Sequence, residues 1–372
     1  MTYKRTHLST LAGVGTLFLA AASAQAATLY WVGSGSPNYT GSWDTATQNW
    51  DTANGSSANS AWVSGDAAQF SNGGTATINA NVTAAELVLG ANTTLTGNGS
   101  YTLTVTGNNP ASNGAGKTLT VNGAAVDFSN GFIGGAANLE LDSGTITVGG
   151  STAIAPTSNG WSLNVTGGTL NANTVTHGFR LGSNFFNGST GEAATATQSG
   201  GTVEVGGQGL QIGSGSGSTA STTSYTDSYT LSNGTLALAS LKFGAVANTT
   251  AEFNLSGGTV TVNTNTISFD QGSSVGTSYF NFETGSGMLV LKDSSGSTTP
   301  WTFSTLTGIK NSSFLVNGNA ATSSELTFAA DTNPEFTDIS LTPASVPDPA
   351  TFGLVAIGGL ALLVRRRKAF RV

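Results

Sequence analysis

Residues able to do acid–base or metal chemistry are few and scattered in this sequence. His177 is the one histidine between positions 27 and 372, and cysteine is absent. A lone histidine with neither cysteine nor a spaced second histidine predicts no ordinary zinc site, so we interpret it as a strand or turn residue. Glu140 and Asp142 share a face if both lie in a strand, where paired carboxylates could bind calcium or act as acid and base. Neighbouring solvent-facing acids are the commoner arrangement, and we expect that one here.

Three further patterns could bind ligands, but each lacks part of the arrangement that binding requires. The segment 331–335 offers oxygen ligands without the spacing of a calcium loop. The Gly-Ser run 213–217 has no Gly-Lys-Ser/Thr after it and predicts a loop rather than a phosphate cradle. Thr-x-Thr pairs at 75/77, 145/147 and 259/261 could align into a ladder that binds ice or crystalline polysaccharide, or could be the solvent face of alternating strands. We predict no catalytic residue, no cofactor and no metal ligand.

The charge is distributed unevenly along the chain. Between positions 27 and 346 lie eighteen of the nineteen acidic residues but only five of the twelve lysines and arginines. An acidic body repels phosphate backbones, which argues against nucleic-acid binding. Without cysteine there is no disulfide framework, so stability must come from backbone hydrogen bonds and an apolar core. The five cations of this body are Lys117, Arg180, Lys242, Lys292 and Lys310.

These side chains must be positioned by a repeat whose marker is a glycine followed by threonine and an alternating apolar segment. The marker glycines stand at 144, 168, 201, 234 and 258, so two short intervals enclose two longer ones of equal length. Many copies follow a short alternating strand, so each unit is interpreted as strand, glycine turn, strand. A two-strand unit cannot bury its apolar face alone, whereas stacked units form a continuous core. The pattern predicts an all-β parallel β-solenoid over 106–345, with antiparallel β-sandwiches as the alternative.

The N-terminal part of the body, residues 27–105, is rich in tryptophan. Trp31, Trp43, Trp50 and Trp62 could bind the faces of sugars, but we expect them to cap the exposed first coil, since aromatic rings bury much area. With the strand-like segments that follow, this region resembles the start of proteins with autotransporter-associated β-strand repeats. The resemblance implies a secreted, β-helical, passenger-like protein.

The N-terminal segment, residues 1–26, has the order of a secretory signal. A basic start precedes a mostly apolar stretch from 8 to 22, and Ala24 and Ala26 supply the small-x-small cleavage pattern. The sequence therefore predicts a signal helix, cleavage after Ala26, and signal peptidase and the Sec machinery as partners.

The C-terminal segment, residues 346–372, combines three features. The triplet Pro347-Asp348-Pro349 precedes an uncharged stretch from 350 to 364, which is short for a permanent membrane span, and then a basic run. This order resembles the PEP-CTERM sorting signal, although that family usually has Glu where Asp348 stands. The resemblance implies recognition by an exosortase-like membrane protease; a plain tail anchor is the alternative. The basic run, Arg365, Arg366, Arg367 and Lys368, should stay cytoplasmic while the acidic body lies outside.

These features together predict an exported bacterial surface protein. The expected course is transient anchoring in the inner membrane through the C-terminal helix, followed by transfer to the cell surface or the extracellular matrix. The favoured function is structural or adhesive, without catalysis of its own, and extracellular polysaccharide is the partner considered. The alternative is a secreted β-helix polysaccharide lyase or hydrolase, which would need charged groups converging from neighbouring coils.

Overall fold

The computed structural model describes residues 26–343, with gaps. The gaps are at residue 56 and at 108–110, 113–115, 132–136, 151–153, 155–159, 183–192, 214–223, 246–247, 265, 270–275, 294–299 and 310–312. The predicted signal helix and the whole predicted sorting segment lie outside the described residues, so both stay predictions.

The described chain is all-β, with short strands and one seven-residue helix, α1 (Phe303–Ile309). The first fifteen strands are β1 (Thr28–Trp31), β2 (Thr40–Trp43), β3 (Trp50–Asp51), β4 (Ala67–Phe70), β5 (Gly74–Ile78), β6 (Val82–Ala84), β7 (Glu86–Leu89), β8 (Thr93–Thr96), β9 (Thr102–Val105), β10 (Ala111–Ser112), β11 (Thr118–Phe128), β12 (Asn138–Val148), β13 (Trp161–Val165), β14 (Thr169–Ala172) and β15 (Phe179–Leu181). The other fifteen are β16 (Ala194–Gln198), β17 (Thr202–Val205), β18 (Leu210–Gly213), β19 (Tyr225–Leu231), β20 (Thr235–Leu238), β21 (Leu241–Gly244), β22 (Thr249–Leu255), β23 (Thr259–Val262), β24 (Ile267–Ser268), β25 (Thr277–Phe282), β26 (Met288–Lys292), β27 (Phe314–Val316), β28 (Asn319–Ala320), β29 (Leu326–Ala330) and β30 (Phe336–Leu341).

Most of these strands pair in parallel along three lines. In the first ladder each strand pairs with the next in the order β2, β5, β8, β11, β12, β13, β16, β19, β22, β25, β27. In the second ladder the order is β6, β9, β11, β12, β14, β17, β20, β23, β26. Strands β11 and β12 serve both ladders, since each has eleven residues and a register shift separates their two halves.

The sequence predicted a repeat unit of two strands, and the third line of pairing shows that this is wrong, since several units contain a third strand. This third line consists of two separate parallel sheets, β1-β4-β7-β10 near the N-terminal end and β15-β18-β21-β24 farther along. The later sheet adds a third short strand after each glycine-linked pair. The sequence does not reveal this strand, because strands as short as Phe179–Leu181 show too little alternation to be recognised.

Antiparallel pairing is confined to the two ends of the described chain. It joins β1 to β3 at one end, and β27 to β28, β26 to β30 and β29 to β30 at the other. The alternative of antiparallel sandwiches is therefore wrong for the described residues. Strand β3 pairs with β1, the first strand of the N-terminal sheet, and β28 and β30 pair with the last strands of the first and second ladders, which reduces the number of unpaired backbone groups there.

The predicted glycine marker is confirmed by the strand register. Thr145, Thr169, Thr202, Thr235 and Thr259, each following a marker glycine, are aligned as successive partners in the second ladder. The additional residues of the longer intervals therefore lie outside these strands, and the marker residues stay in register.

Physical crowding explains why the marker is glycine. Gly168, Gly201, Gly234 and Gly258 all have positive φ, between 66° and 94°. A Cβ on any of the four would lie 2.5–2.6 Å from the carbonyl oxygen of the preceding marker glycine, the first of which is Gly144. Only a residue without a side chain can adopt this backbone and allow such close approach of neighbouring strands.

The apolar residues of the strands form one connected core from Leu29 to Ile339. Strand after strand shows strict alternation of buried and partly exposed positions, as the sequence predicted. Inside the first ladder, the rings of Tyr229, Phe253 and Phe280 stack with centroid distances of 5.2 and 4.8 Å and nearly parallel planes. In-register strands thus place identical positions of successive units in direct contact.

The tryptophans near the N-terminus are buried together. Trp31, Trp43, Trp50 and Trp62 are at most 2% exposed, and their rings lie 4.7–5.0 Å apart around Phe70. Since their faces are covered by one another, they present no platform for a sugar. They fill the core where the ladders begin, and their role as a cap of the first coil stays a prediction.

Candidate binding face

The outward side of the first ladder is a polar surface that extends along most of its strands. Its central column holds residues that are partners from one strand to the next: Thr75, Thr94, Thr120, Glu140, Asn164, Thr197, Thr230, Asn254 and Asn281. Each alternates with buried core residues on its own strand, so the core fixes its outward direction. The four described cations of the body lie outside the strands of this ladder.

Four residues at the C-terminal end of this face form a connected group, which we call the terminal polar patch. Glu252 and Asn254 on β22 are the register partners of Tyr279 and Asn281 on β25. The Tyr279 hydroxyl donates to Glu252 Oε2, Asn254 Nδ2 donates to Glu252 Oε1 at 3.1 Å, and Asn281 Nδ2 donates to Asn254 Oδ1 at 3.1 Å. The four side chains are thereby held in fixed orientations.

The patch is anchored at its most buried member. Asn281 is 7% exposed, and its Oδ1 accepts a hydrogen bond of 3.0 Å from the backbone N–H of Gly318, in the turn between β27 and β28. Tyr279, Asn254 and Glu252 are partly exposed. Burial, the hydrogen bond to Glu252, and the negative charges of Glu252 and Glu283 raise the pKa of the Tyr279 hydroxyl. That phenol is therefore neutral and acts as a donor at ordinary pH.

The carboxylates singled out in the sequence lie on the same face but in the middle of the ladder. Glu140 and Asp142 share the outward side of β12, as expected from their spacing. Glu140 accepts hydrogen bonds from Thr120 Oγ1 at 3.0 Å and Asn164 Nδ2 at 3.3 Å, and Asp142 accepts one from Thr166 Oγ1 at 3.0 Å. Both acids thus accept hydrogen bonds from neutral groups on, or just after, neighbouring strands and belong to the polar face.

The other sequence candidates are dispersed. His177 lies half-buried in a bend between β14 and β15. In segment 331–335, between β29 and β30, Asp331 accepts from the backbone N–H of Asn333, Asn333 accepts from that of Glu335, and Glu335 pairs with Lys292 at 3.1 Å. These contacts use the segment's oxygens to close a turn. Gly213 ends β18, and residues 214–217 of the Gly-Ser run lie outside the described residues.

The Thr-x-Thr pairs do not form one flat array. Pair 75/77 lies in the first ladder and pairs 145/147 and 259/261 in the second. In the second ladder the marker threonines are aligned, but the column two residues farther on reads Thr147, Asn171, Glu204, Ala237, Thr261. A regular two-column threonine surface is therefore absent from this part of the described chain.

A cleft of about 980 Å³ opens at the C-terminal end of the described chain. It lies between the β27–β28 and β29–β30 hairpins, and Met288, Val316 and Leu341 supply apolar lining. Glu325 at its wall accepts hydrogen bonds from the backbone N–H and hydroxyl of Thr322, at 2.8 and 2.7 Å. This carboxylate is the one titratable group among the residues lining the cleft.

The predicted targeting residues are almost all outside the described chain. This holds for Ala24 and for the sorting residues Pro347, Asp348, Pro349, Arg365, Arg366 and Arg367, while Ala26 is described and exposed. Over the described ranges, no group of three or more His, Asp or Glu residues is placed to hold a metal ion. No helix of that same part of the chain is long and apolar enough to cross a membrane.

Comparison with protein-family models, with curated proteins and with solved structures found no match. The function therefore has to be inferred from the ladders, their surfaces and the sequence signals at the two ends. The patch on β22 and β25 could not be located from the sequence, because its two strands are distant along the chain in a repeat of irregular length.

Proposed function

We propose that the three lines of pairing are the faces of a parallel β-solenoid, and that this solenoid is an exported, non-catalytic structural or adhesive protein of the bacterial surface. The observation that carries the proposal is the in-register column of marker glycines and threonines, which repeats one unit at constant alignment through five strands. A stack of this kind extends a surface by adding units, each stabilised by its neighbours.

The chemistry of the two sides of each strand supports an external structural role. Aliphatic and aromatic residues are buried in one core, while Thr, Ser, Asn and acidic residues point outward on the first ladder. Because cysteine is absent, the stack needs no oxidative step to become stable after export. A polar surface with few cations also disfavours unspecific attachment to anionic polymers.

The proposed localisation rests on the sequence signals at the two ends. Export through the Sec machinery with cleavage after Ala26 would deliver the body across the inner membrane. The 350–364 segment and the basic run would then anchor it transiently, until an exosortase-like protease acts near Pro347-Asp348-Pro349. The processed protein would remain at the cell surface or in the extracellular matrix.

Mass spectrometry of fractionated cells tests this course. The surface fraction should contain protein that lacks the segment after the Pro-Asp-Pro triplet, and alanine at Pro347, Asp348 and Pro349 together should leave the tail intact and the protein in the membrane fraction. The matched control is Pro343→Ala, a proline four residues before the triplet, which should be processed normally. An intact tail on surface protein of the unaltered chain would contradict the proposed sorting.

A further inference from the structure

We propose that the terminal polar patch is a binding site for neutral polysaccharide, formed by the Tyr279 ring together with Glu252, Asn254 and Asn281. The inference rests on the adhesive role proposed above and specifies the class of ligand and the place where it binds. The patch combines an aromatic ring, amide donors and acceptors, and a carboxylate within a two-by-two arrangement on adjacent strands. Sugar rings present apolar C–H faces and vicinal hydroxyls, and these groups match both kinds of contact.

The patch is organised before any ligand arrives. The hydrogen bonds run without interruption from Gly318 through Asn281, Asn254 and Glu252 to the Tyr279 hydroxyl. Binding therefore does not require new ordering of these side chains, which removes a cost that exposed polar groups normally carry. Each of the partly exposed members still has hydrogen-bonding capacity to offer, since a carboxylate has about four lone-pair positions and an amide two donors and two acceptors.

The distribution of charge selects among polysaccharides. Glu252 lies within the patch and Glu283 follows two residues after Asn281 on the same chain segment. The described cations Lys117, Arg180 and Lys242 lie outside this ladder, as does Lys292. Polyuronates and sulfated glycans would meet negative charge on a ladder whose described strands carry no cation, so the site favours an uncharged chain.

The same face offers positions for more than one sugar unit. Next to the patch along the ladder, Ser228 and Thr230 on β19 are the register partners of Glu252 and Asn254, and Thr195 and Thr197 continue on β16. Successive strands repeat at about 4.8 Å, so polar side chains recur at regular steps along a line that an extended polymer could follow. A chain lying across the strands would contact hydroxyls beyond the aromatic residue that anchors it.

The test is binding of the exported protein to an array of immobilised oligosaccharides. The array holds neutral glucans, mannans, galactans and xylans beside uronate oligosaccharides. We expect retention on at least one neutral series and none on the uronates. Tyr279→Ala and Asn254→Ala should each weaken that binding roughly tenfold or more, as expected for central contacts of an interface.

Two variants separate binding from folding. Tyr279→Phe keeps the ring and loses only the hydroxyl, so it should bind more tightly than Tyr279→Ala while remaining weaker than the parent. Thr261→Ala, on the outward side of the second ladder, should bind like the parent. Absence of binding to every neutral series, binding to uronates alone, or equal binding by parent and Tyr279→Ala would overturn the proposal. Mass spectrometry of the C-terminal tail tests the proposed surface sorting independently of glycan binding. A protein that is processed normally but binds no neutral glycan would contradict the glycan site alone, whereas an unprocessed tail on surface protein would contradict the proposed function.

Discussion

At the scale of single residues, Asp227 brings a carboxyl group to an inward position of the strand alternation. It occupies an inward position of β19 and is fully buried, where Ala251 and Ser278 follow in the same column of the ladder. Its Oδ1 accepts a hydrogen bond from the backbone N–H of Ala194 at 3.0 Å, while Oδ2 has no hydrogen-bond partner among the described residues. Gly182 lies against the carboxylate, since a Cβ there would be 2.0 Å from it.

This environment predicts a stability that depends on pH. Burial raises the pKa of Asp227 from 3.8 to about 7, against the opposing effect of the Ala194 hydrogen bond. The folded state therefore binds a proton that the unfolded state has released, and the free energy of unfolding should fall as the pH rises from about 4 to about 7. Asp227→Asn should abolish most of that slope and stabilise the protein at pH 8 by an amount on the order of 3 kcal/mol. Urea denaturation of both proteins at pH 5 and pH 8 measures the effect, and equal slopes would contradict it.

The sequence indicates on which side of its strand this residue lies, but not what surrounds it there. Asp227 alternates in phase with Tyr229 and Leu231, so the period of β19 places it inward. Its burial against Gly182 and its hydrogen bond from Ala194 follow only from the pairing of distant segments. The terminal polar patch was hidden for a related reason. Tyr279 and Glu252 become neighbours only when the length of the intervening insertion is known.

At the scale of elements, the glycine turn between the first and second ladders is the feature that keeps neighbouring units in register. Strand β13 is followed by β14, β16 by β17, β19 by β20 and β22 by β23, each pair separated by three residues that include a marker glycine. The sequence was sufficient to predict this pairing, because glycine and threonine recur at fixed positions beside an alternating pattern. It was insufficient for the third line of strands, which are too short to show a period.

Substitution of a marker glycine should cost more than substitution of a glycine with the same backbone in open space. Gly258→Ala places a Cβ 2.5 Å from the carbonyl oxygen of Gly234, whereas Gly99→Ala meets nothing within 4 Å, and the two residues have φ of 71° and 75°. Both variants should show backbone strain of about 1 kcal/mol, and Gly258→Ala should lose roughly 2 kcal/mol more through displacement of the strands. Chemical denaturation gives both values. Equal losses of unfolding free energy in the two variants would contradict the close contact between Gly258 and the carbonyl oxygen of Gly234.

Aromatic residues stabilise the ladders at two places. The stack of Tyr229, Phe253 and Phe280 lies within the first ladder, and the tryptophans around Phe70 lie where the ladders begin. The sequence predicted the second group as a cap from its composition alone. The first could be recognised only from the register, because the three rings are contributed by three strands that are distant from one another along the chain.

At the scale of the whole molecule, one repeated strand register accounts for the core, the outward polar face and the proposed site. Irregular spacing in the sequence is compatible with regular stacking, since the insertions fall outside the aligned strands. The all-β class and the parallel repeat were predictable because both follow from local alternation and turn chemistry. The position of a binding patch depended on pairings between distant residues, which periodicity alone does not determine.

The central claim, constant register between successive units, is tested most directly by disulfide cross-linking. The chain has no cysteine, so Thr202→Cys with Thr235→Cys introduces one pair on adjacent strands of the second ladder. Adjacent partners lie about 4.8 Å apart, within the Cα separation that a disulfide spans, whereas Thr169→Cys with Thr235→Cys doubles that distance. After mild oxidation, thiol counting and mass spectrometry should find an intramolecular disulfide in the first variant and free thiols in the second. Free thiols in the first variant, or a disulfide formed as readily in the second, would contradict the stacked register.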